Sequence, residues 1–280
     1  MVTFAEEILT KVSGEKKVEA GDIVDAGVDI AMSHDNAALV IKKFKEIGIE
    51  KVWDAKKIVI ILDHRVPANT IKTAERHKTI REFVKEQGIN NFYDINTGIC
   101  HQVMIEEGHA SPERLIVGTD SHTTSYGALG AFSTGIGATE MAAVWATGKI
   151  WLRVPESYKI NIEGTLPKMV FSKDVILHII KHLSSDGANY KSCEFYGSLV
   201  KKMSLASKIV IANMSMEMGA KVAVFPKKEY EGIYEKEFTF DVSKLNPQIA
   251  CPHAVDNVKD VSEVEGKEIN QAVLGSCTNG

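Results

Sequence analysis

Three short stretches bring together side chains that can do chemistry: Asp63-His64, Asp120-Ser121-His122 and the thiol of Cys277. A carboxylate beside an imidazole stabilises the imidazolium and raises its pKa, so the ring can hold a proton and deliver it near neutral pH. One Asp-His dipeptide is explained by a histidine hydrogen-bonded to a loop carbonyl. Two of them, with His101 in Gly98-Ile99-Cys100-His101-Gln102, point to a site for acid–base chemistry. Asn213 and Glu217 stand four residues apart in a stretch with few other polar groups, and on a helix they would share a face. A ligand-fixing pair and a helix end closed at Gly219 are equal readings of that spacing. His34-Asp35-Asn36 is open in the same way: it either contacts a ligand or caps a helix beginning near Ala37. His178 and His182 have a spacing that can clasp a metal. The adjacent glutamate of H-E-x-x-H is missing, however, and Val175, Ile176, Ile179, Ile180 and Leu183 already fill the buried face, so solvated histidines are the stronger reading.

These groups need rigid elements to aim them, and the apolar pattern predicts where those elements lie. Lys57 to Leu62 reads as a buried strand running into Asp63-His64, and Leu115-Ile116-Val117 as a strand running through Gly118 into Asp120. Ala272-Val273-Leu274 reads as a strand entering Gly275-Ser276-Cys277. Ligand sites of open α/β sheets gather at such strand ends, and buried ionisable groups are costly unless paired, so packing alone does not explain all three. Thr70 to Gln87 is predicted helical, with Ile71, Ala74, Ile80, Phe83 and Val84 on one face and a stop at Gly88. Ala138 to Gly148 reads as a small-residue helix, Tyr158 to Glu163 as a strand, and Ser172 to Ser184 as a helix capped by Ser172. This alternation predicts an α/β protein with largely parallel sheets. A soft boundary near Lys191 to Gly197 would divide residues 1–190 from 191–280.

Gly135 and Gly137 form a G-x-G before a helix, which invites a dinucleotide reading. Glu140 replaces the third glycine and no clean strand leads into Gly135, so a tight turn is the better expectation, its small residues letting backbone approach the Asp120 to His122 segment.

The remaining composition excludes several classes. The chain has 280 residues, 44% of them hydrophobic, with 21 Gly and 7 Pro, and no apolar run near the roughly 20 residues that span a bilayer. A net charge of −4 with lysines scattered in pairs supplies no basic stripe for nucleic acid. The charged N-terminus lacks the apolar core of a secretion signal, which predicts a cytoplasmic protein. Four separated cysteines without a C-x-x-C do not resemble a disulfide framework.

Taken together, Asp63-His64-Arg65-Val66-Pro67, Ile99-Cys100-His101-Gln102, Gly118-Thr119-Asp120-Ser121-His122-Thr123, Asn213-Met214 to Glu217-Met218-Gly219-Ala220 and Gly275-Ser276-Cys277-Thr278-Asn279-Gly280 resemble the aconitase superfamily. More narrowly, they resemble the large subunits of 3-isopropylmalate dehydratase and homoaconitase. The resemblance runs nearly end to end, and the D-S-H-T and G-S-C-T-N elements in this order are highly specific. It implies aconitase-like three-layer α/β/α domains with the C-terminal part missing. It further implies a hydro-lyase, placed in leucine biosynthesis, that dehydrates and rehydrates a hydroxy-dicarboxylate at a 4Fe-4S cluster held by three cysteines, with one open iron acting as a Lewis acid.

By that resemblance Asp63 and His64 are a proton-donor pair, and His101 with Glu217 a second pair near the leaving oxygen. Asp120 and His122 bind iron-bound water or hydroxide, Ser121 binds a substrate carboxylate, Asn213 belongs to the cluster environment, and Cys277 binds one iron. The other two cluster cysteines lie downstream of G-S-C-T-N in the family, and Cys100, Cys193 and Cys251 do not match them. The chain is therefore expected to be an N-terminal portion, incomplete for the cluster. A small subunit is the expected partner, supplying the serine base and the pocket for the substrate side chain. The readings weighed against isomerisation of 2- and 3-isopropylmalate are homoaconitase or another alkylmalate dehydratase, a cluster-free RNA-binding or non-enzymatic role, and a mononuclear zinc site built from histidines and Cys277.

Overall fold

A computed structural model describes residues 1–278. The last two positions of the Gly-Ser-Cys-Thr-Asn-Gly motif, Asn279 and Gly280, lie outside the described residues. The first half contains α1 (Phe4–Ser13), β1 (Ile23–Gly27), β2 (Ile30–Ser33), α2 (Ala37–Ile47), β3 (Ile58–Ile61), α3 (Ile71–Gln87), β4 (Phe92–Tyr93), α4 (Cys100–Glu106) and β5 (Leu115–Gly118). A 3-10 helix (Ser121–Leu129), β6 (Phe132–Gly135), α5 (Ala138–Thr147) and β7 (Lys149–Arg153) follow. The second half contains β8 (Ser157–Glu163), α6 (Ser172–Leu183), β9 (Ser192–Tyr196), α7 (Leu205–Met214), a short 3-10 helix (Ser215–Met218), β10 (Val222–Val224), β11 (Lys236–Asp241), β12 (Gln248–Ala250) and β13 (Val258–Asp260).

The first sheet is parallel throughout, in the order β4-β3-β2-β5-β6. β2, β3 and β5 are buried at every position, as the continuous runs Ile58-Val59-Ile60-Ile61 and Leu115-Ile116-Val117 require of strands covered on both faces. One face packs Ala31, Ile58, Ile60, Leu115 and Val117 against α2, α3 and α5 through Phe44, Phe83 and Trp145. The other packs Met32, Val59 and Ile61 against Met104 of α4 and Tyr126. Helices thus cover both faces, giving the expected three-layer α/β/α arrangement. From β2 the chain winds outward through β3 to β4, then returns beside β2 as β5 and continues to β6. The strand order therefore reverses between β2 and β5, where open α/β sheets form their ligand crevice.

A second parallel sheet has the order β10-β9-β8-β11, with α6 and α7 on one face. Val222 and Val224 of β10 point into the first half's core. α1 bridges the halves, donating from the Phe4 N–H to the buried Glu194 carboxylate of β9 at 2.9 Å. Residues 192–196, where a soft division of the chain is expected, form β9 between β8 and β10.

Several expectations change. Ala272-Val273-Leu274 forms no strand: the segment is irregular, Leu274 is fully exposed, and no neighbouring strand takes up its backbone hydrogen bonds. Ser172 does not cap α6. Phe171 holds the N-cap position, and its N–H is accepted by the Asp174 carboxylate at 2.7 Å. On α3, Ile71 and Ala74 face solvent, and the buried stripe is Thr73, His77, Ile80, Phe83 and Val84. A strand, β6, does lead into Gly135; its short Phe-Ser-Thr-Gly run hides it from a hydrophobicity pattern. The expected close approach is present: a Cβ on Gly135 would lie 2.7 Å from the Asp120 carbonyl oxygen.

Candidate active site

The imidazoles and carboxylates of the site are delivered by the ends of buried strands or by helices lying against them, whereas Cys277 and Thr278 come from the irregular segment after residue 271. β5 ends at Gly118, and two residues later Asp120 starts the 3-10 helix, its Oδ1 accepting from the His122 N–H at 2.8 Å. The same oxygen lies 2.9 Å from Nε2 of His101, on the first turn of α4. The other oxygen, Oδ2, lies 3.2 Å from Nε2 of His64 in the turn after β3. Nδ1 of His122 stands 3.6 Å from Oδ1. One carboxylate thus gathers three imidazoles contributed by three separate elements. Burial works against its ionisation, but the hydrogen bonds from His101, His122 and His64 override it and hold the carboxyl far below the usual carboxylate range.

His64 has a carboxylate at both ring nitrogens, Asp63 Oδ1 at 2.8 Å from Nδ1 and Asp120 Oδ2 at Nε2. A neutral imidazole donates from one nitrogen only, so this geometry belongs to the imidazolium. The bonds to Asp120 and Asp63 push its pKa up to about 10 despite partial burial. Its side chain remains 38% exposed, so the held proton can be delivered to a molecule in the crevice. His101 is buried instead. Its Nδ1 faces the Tyr126 hydroxyl at 3.1 Å, which fits donation from Nε2 to Asp120 and acceptance from the tyrosine.

His122 and Glu217 pair, Nε2 to Oε1 at 3.3 Å. The expected pairing of His101 with Glu217 is therefore not formed: His101 is spent on Asp120 and Tyr126, and Glu217 faces His122. The pKa of His122 is pushed up to about 10, first by Asp120 and then by Cys277 and Glu217. Asn213 and Glu217 both reach the site although α7 tightens into a 3-10 turn between them. Asn213 Nδ2 donates to Ser125 Oγ at 3.0 Å and approaches Cys277 Sγ at 3.6 Å, and its Oδ1 accepts from Thr278 at 2.8 Å. The His122 hydrogen bond draws the Cys277 thiol below its ordinary pKa, and that from Asn213 adds to it, so the thiol is biased to the thiolate that binds metal.

A cluster with one open iron needs three thiolates. Among the described residues Cys277 is the thiol drawn below its ordinary pKa. The buried Cys100 thiol hydrogen-bonds Asp63 and is pushed far up, first by burial, and Cys193 lies in the second core. The described residues therefore match one corner of such a cluster and not its full ligand set. A zinc site joining the histidines to Cys277 is not formed either. The metal-ligand grouping found among the described residues, His34, Asp35, Asp63 and His64 within 4.8 Å, leaves Cys277 out. Its carboxylates are already occupied: Asp35 Oδ2 accepts the N–H groups of Asp63 and His64 at 2.9 and 2.8 Å, and Asp63 Oδ2 accepts from Cys100 N–H at 2.7 Å.

Those contacts identify residues that sequence reasoning missed or left open. Asp35 fixes the Asp63-His64 turn, and its other oxygen is held by the buried His77 of α3 at 2.7 Å. Periodicity could have found His77, since it stands in the stripe Thr73-His77-Ile80-Val84. Asn36 occupies the N-cap position of α2 without a side-chain cap bond; instead it binds Thr119, accepting from its hydroxyl at 2.7 Å and donating to its carbonyl at 3.2 Å. His34 stacks on His64, ring centroids 3.9 Å apart. His178 and His182 flank Phe240, remote from all of this. Ser121 is exposed on a cleft of about 430 Å³ between the two halves. No helix among the described residues is long and apolar enough to cross a membrane.

Comparison with known proteins agrees with this geometry. The family model described as "Aconitase family (aconitate hydratase)" matches residues 6–231. A protein of Methanothermobacter thermautotrophicus named "Probable 3-isopropylmalate dehydratase large subunit" is 49% identical over all of this chain and 72% of its own length. The "3-isopropylmalate dehydratase large subunit 1" of Methanopyrus kandleri is 48% identical over 99% of the chain and 71% of its own. The "Probable methanogen homoaconitase large subunit" of Methanosarcina mazei is 48% identical over 91% and 71%. With a family match over most of its length, near-half identity along the whole of it, and a parallel sheet whose switch point carries these groups, the chain belongs to the aconitase family.

Proposed function

We propose that this chain is the large subunit of a hydro-lyase that interconverts 2-isopropylmalate and 3-isopropylmalate by dehydration and rehydration. The observation that carries the reading is the imidazolium of His64, held between Asp63 and Asp120 at the strand-order switch and still open to the crevice. Hydroxide is a poor leaving group, so it must be protonated as its carbon–oxygen bond breaks. His64 gives that proton to the departing hydroxyl, which leaves as water, and the now neutral ring keeps one N–H, donated to one of its two carboxylate partners. In the reverse direction the same ring takes a proton from the water that adds. Asp120 keeps His64 and His101 in register and His122 beside it, while the Asp63 and Asp120 carboxylates favour the charged ring, so that His64 regains its proton from the water that adds. The proton on the neighbouring carbon goes to a base that the small subunit supplies by family resemblance. The 4Fe-4S cluster of this family, when bound, supplies Lewis acidity toward the departing oxygen; Cys277, with its lowered thiol pKa, is this chain's ligand for it.

The relatives' names support the substrate, and a second reading has its own support, the 48% identity to a homoaconitase-named protein. One assay decides between them. The full-length protein, purified anaerobically with its small subunit, should turn over 2-isopropylmalate with transient ultraviolet absorbance from the unsaturated intermediate. Turnover of homocitrate in its place assigns the second reading. No turnover of either, or of any alkylmalate, sinks the proposal.

A further inference from the structure

The cleft beside Ser121 contains a cation that the proton-transfer chemistry above does not use. Lys221, just before β10, lines this space together with Ser121, Thr124 and Tyr190. Its ammonium lies 3.5 Å from the Gly135 carbonyl and 5.4 Å from the centre of the Tyr190 ring. It makes no ion pair among the described residues, whereas the nearby Lys191 pairs with both Glu156 and Glu235. Burial lowers its pKa, partly offset by Glu140, as expected of a charge removed from water without an ion-pair partner. Thr124 is buried with its hydroxyl unpartnered among the described residues. Buried polar groups usually find a partner, so an ammonium held only by a long carbonyl contact, with no carboxylate among the described residues, and an unpaired hydroxyl lining one cleft describe a place for an anion.

The acid–base end of the crevice sets the carboxylates of Asp63, Asp120 and Glu217 against the imidazoliums of His64 and His122, so it leaves no net positive charge for a substrate bearing two negative ones. The lining of the neighbouring cleft answers with one charged side chain, and that one is positive. We propose that Lys221 is a substrate-binding residue: with the Ser121 hydroxyl it holds the carboxylate of a hydroxy-dicarboxylate that lies farther from the departing hydroxyl. This rests on the hydro-lyase reading for the substrate class. The cation sets the requirement for a second carboxylate, while the Met216 and Tyr190 walls leave the alkyl substituent unselected by charge.

The test uses the full-length enzyme with its small subunit, comparing wild type with Lys221→Met, Lys221→Gln and Lys221→Arg. The probes are 2-isopropylmalate and 2-hydroxy-3-methylbutanoate, which lacks the second carboxylate. Steady-state kinetics and calorimetric titration are read side by side. Loss of a charge-assisted hydrogen bond should raise KM and Kd for the dicarboxylate about 10-fold or more in the Met variant, with kcat essentially unchanged. The Arg variant should stay near wild type, and monocarboxylate affinity should not move. The Gln variant keeps a donor to the Gly135 carbonyl without the charge, and stands in if the Met variant does not fold. An active wild type whose neutral variants keep its KM and Kd overturns the proposal. So does an equal loss for both probes, which is the mark of a merely structural lysine. If wild type turns over no dicarboxylate, the hydro-lyase reading fails, and calorimetry alone still decides Lys221 by whether the neutral variants lose the preference for two carboxylates.

Discussion

Asp120 is the acceptor shared by three histidines, and its charge raises the pKa of two of them, His64 and His122. Replacing it with Asn keeps the shape, removes the charge, and leaves His64 with Asp63 alone. In Asp120→Asn the His64 pKa should fall from about 10, visible in a histidine NMR titration, and activity should drop about 10²- to 10⁴-fold. Stability should follow the same charges. The folded-state pKa of His64 is about 10, above the ordinary histidine value. Its stabilisation is therefore complete below that ordinary value, about 6.5, and fades as pH rises through the folded-state pKa. The unfolding free-energy difference between wild type and His64→Gln should shrink as urea titrations move up across that window, and a constant difference would contradict the assignment. Asp120 has the opposite sign: its depressed pKa stabilises the fold above the carboxylate range, and the contribution is lost as pH falls.

At the level of elements, the turn after β3 is aimed by a side chain from the end of β2. Asp35 and His77 are both buried and hydrogen-bonded to each other, and Asp35 also takes two backbone N–H groups of the turn. Asp35→Ala leaves a buried histidine and two part-buried N–H donors without their partner. Breaking such a pair costs about 3 kcal/mol, to be read as a shift in urea midpoint, with activity falling as His64 loses its orientation. β6 does the corresponding work for Asp120. Gly135 does not need its glycine for an unusual backbone angle; it needs the missing side chain, because the Asp120 carbonyl and the Ser121 Cα occupy that space. Gly135→Ala should cost about 1–3 kcal/mol by overpacking. It should also weaken Asp120's grip on its histidines, measured as a lower His64 pKa in the same NMR titration.

Across the whole molecule, the site depends on two sheets held in one relation. The first sheet presents its strand ends to the crevice. The second approaches with the segments before β9 and β10, bringing Tyr190, Glu217 and Lys221. Gly127 of the long 3-10 helix packs against the Ala223 backbone, its carbonyl accepting from the Phe225 N–H at 2.9 Å, and α1 ties the first half to Glu194. Because β10 contributes to both cores, the halves should unfold together. All three tryptophans, Trp53, Trp145 and Trp151, belong to the first half, so their fluorescence reports that half while far-ultraviolet dichroism reports both. Coincident urea transitions are expected, and separated ones would show the halves to be independent.

The sequence by itself determined the α/β class, the buried strands read at 57–62 and 115–117, which form as Ile58–Ile61 and Leu115–Gly118, and the presence of Asp63-His64 and Asp120-Ser121-His122 at their ends. Continuous apolar runs and strand-end polar groups are local signals, set by burial on two faces and by the cost of leaving charge unpaired. The tertiary structure alone decided the pairings. Glu217 faces His122 rather than His101, Asp35 reaches from β2 to the turn after β3, and Lys221 shares a cleft with Ser121 a hundred residues away in sequence. The predicted strand at 272–274 failed for the same reason, since a strand exists through its neighbour's hydrogen bonds, and an apolar triplet carries no record of whether a neighbour is there. Chemical type is written in each residue, but the partner that fixes its protonation state comes from another element, and folding alone brings the two together.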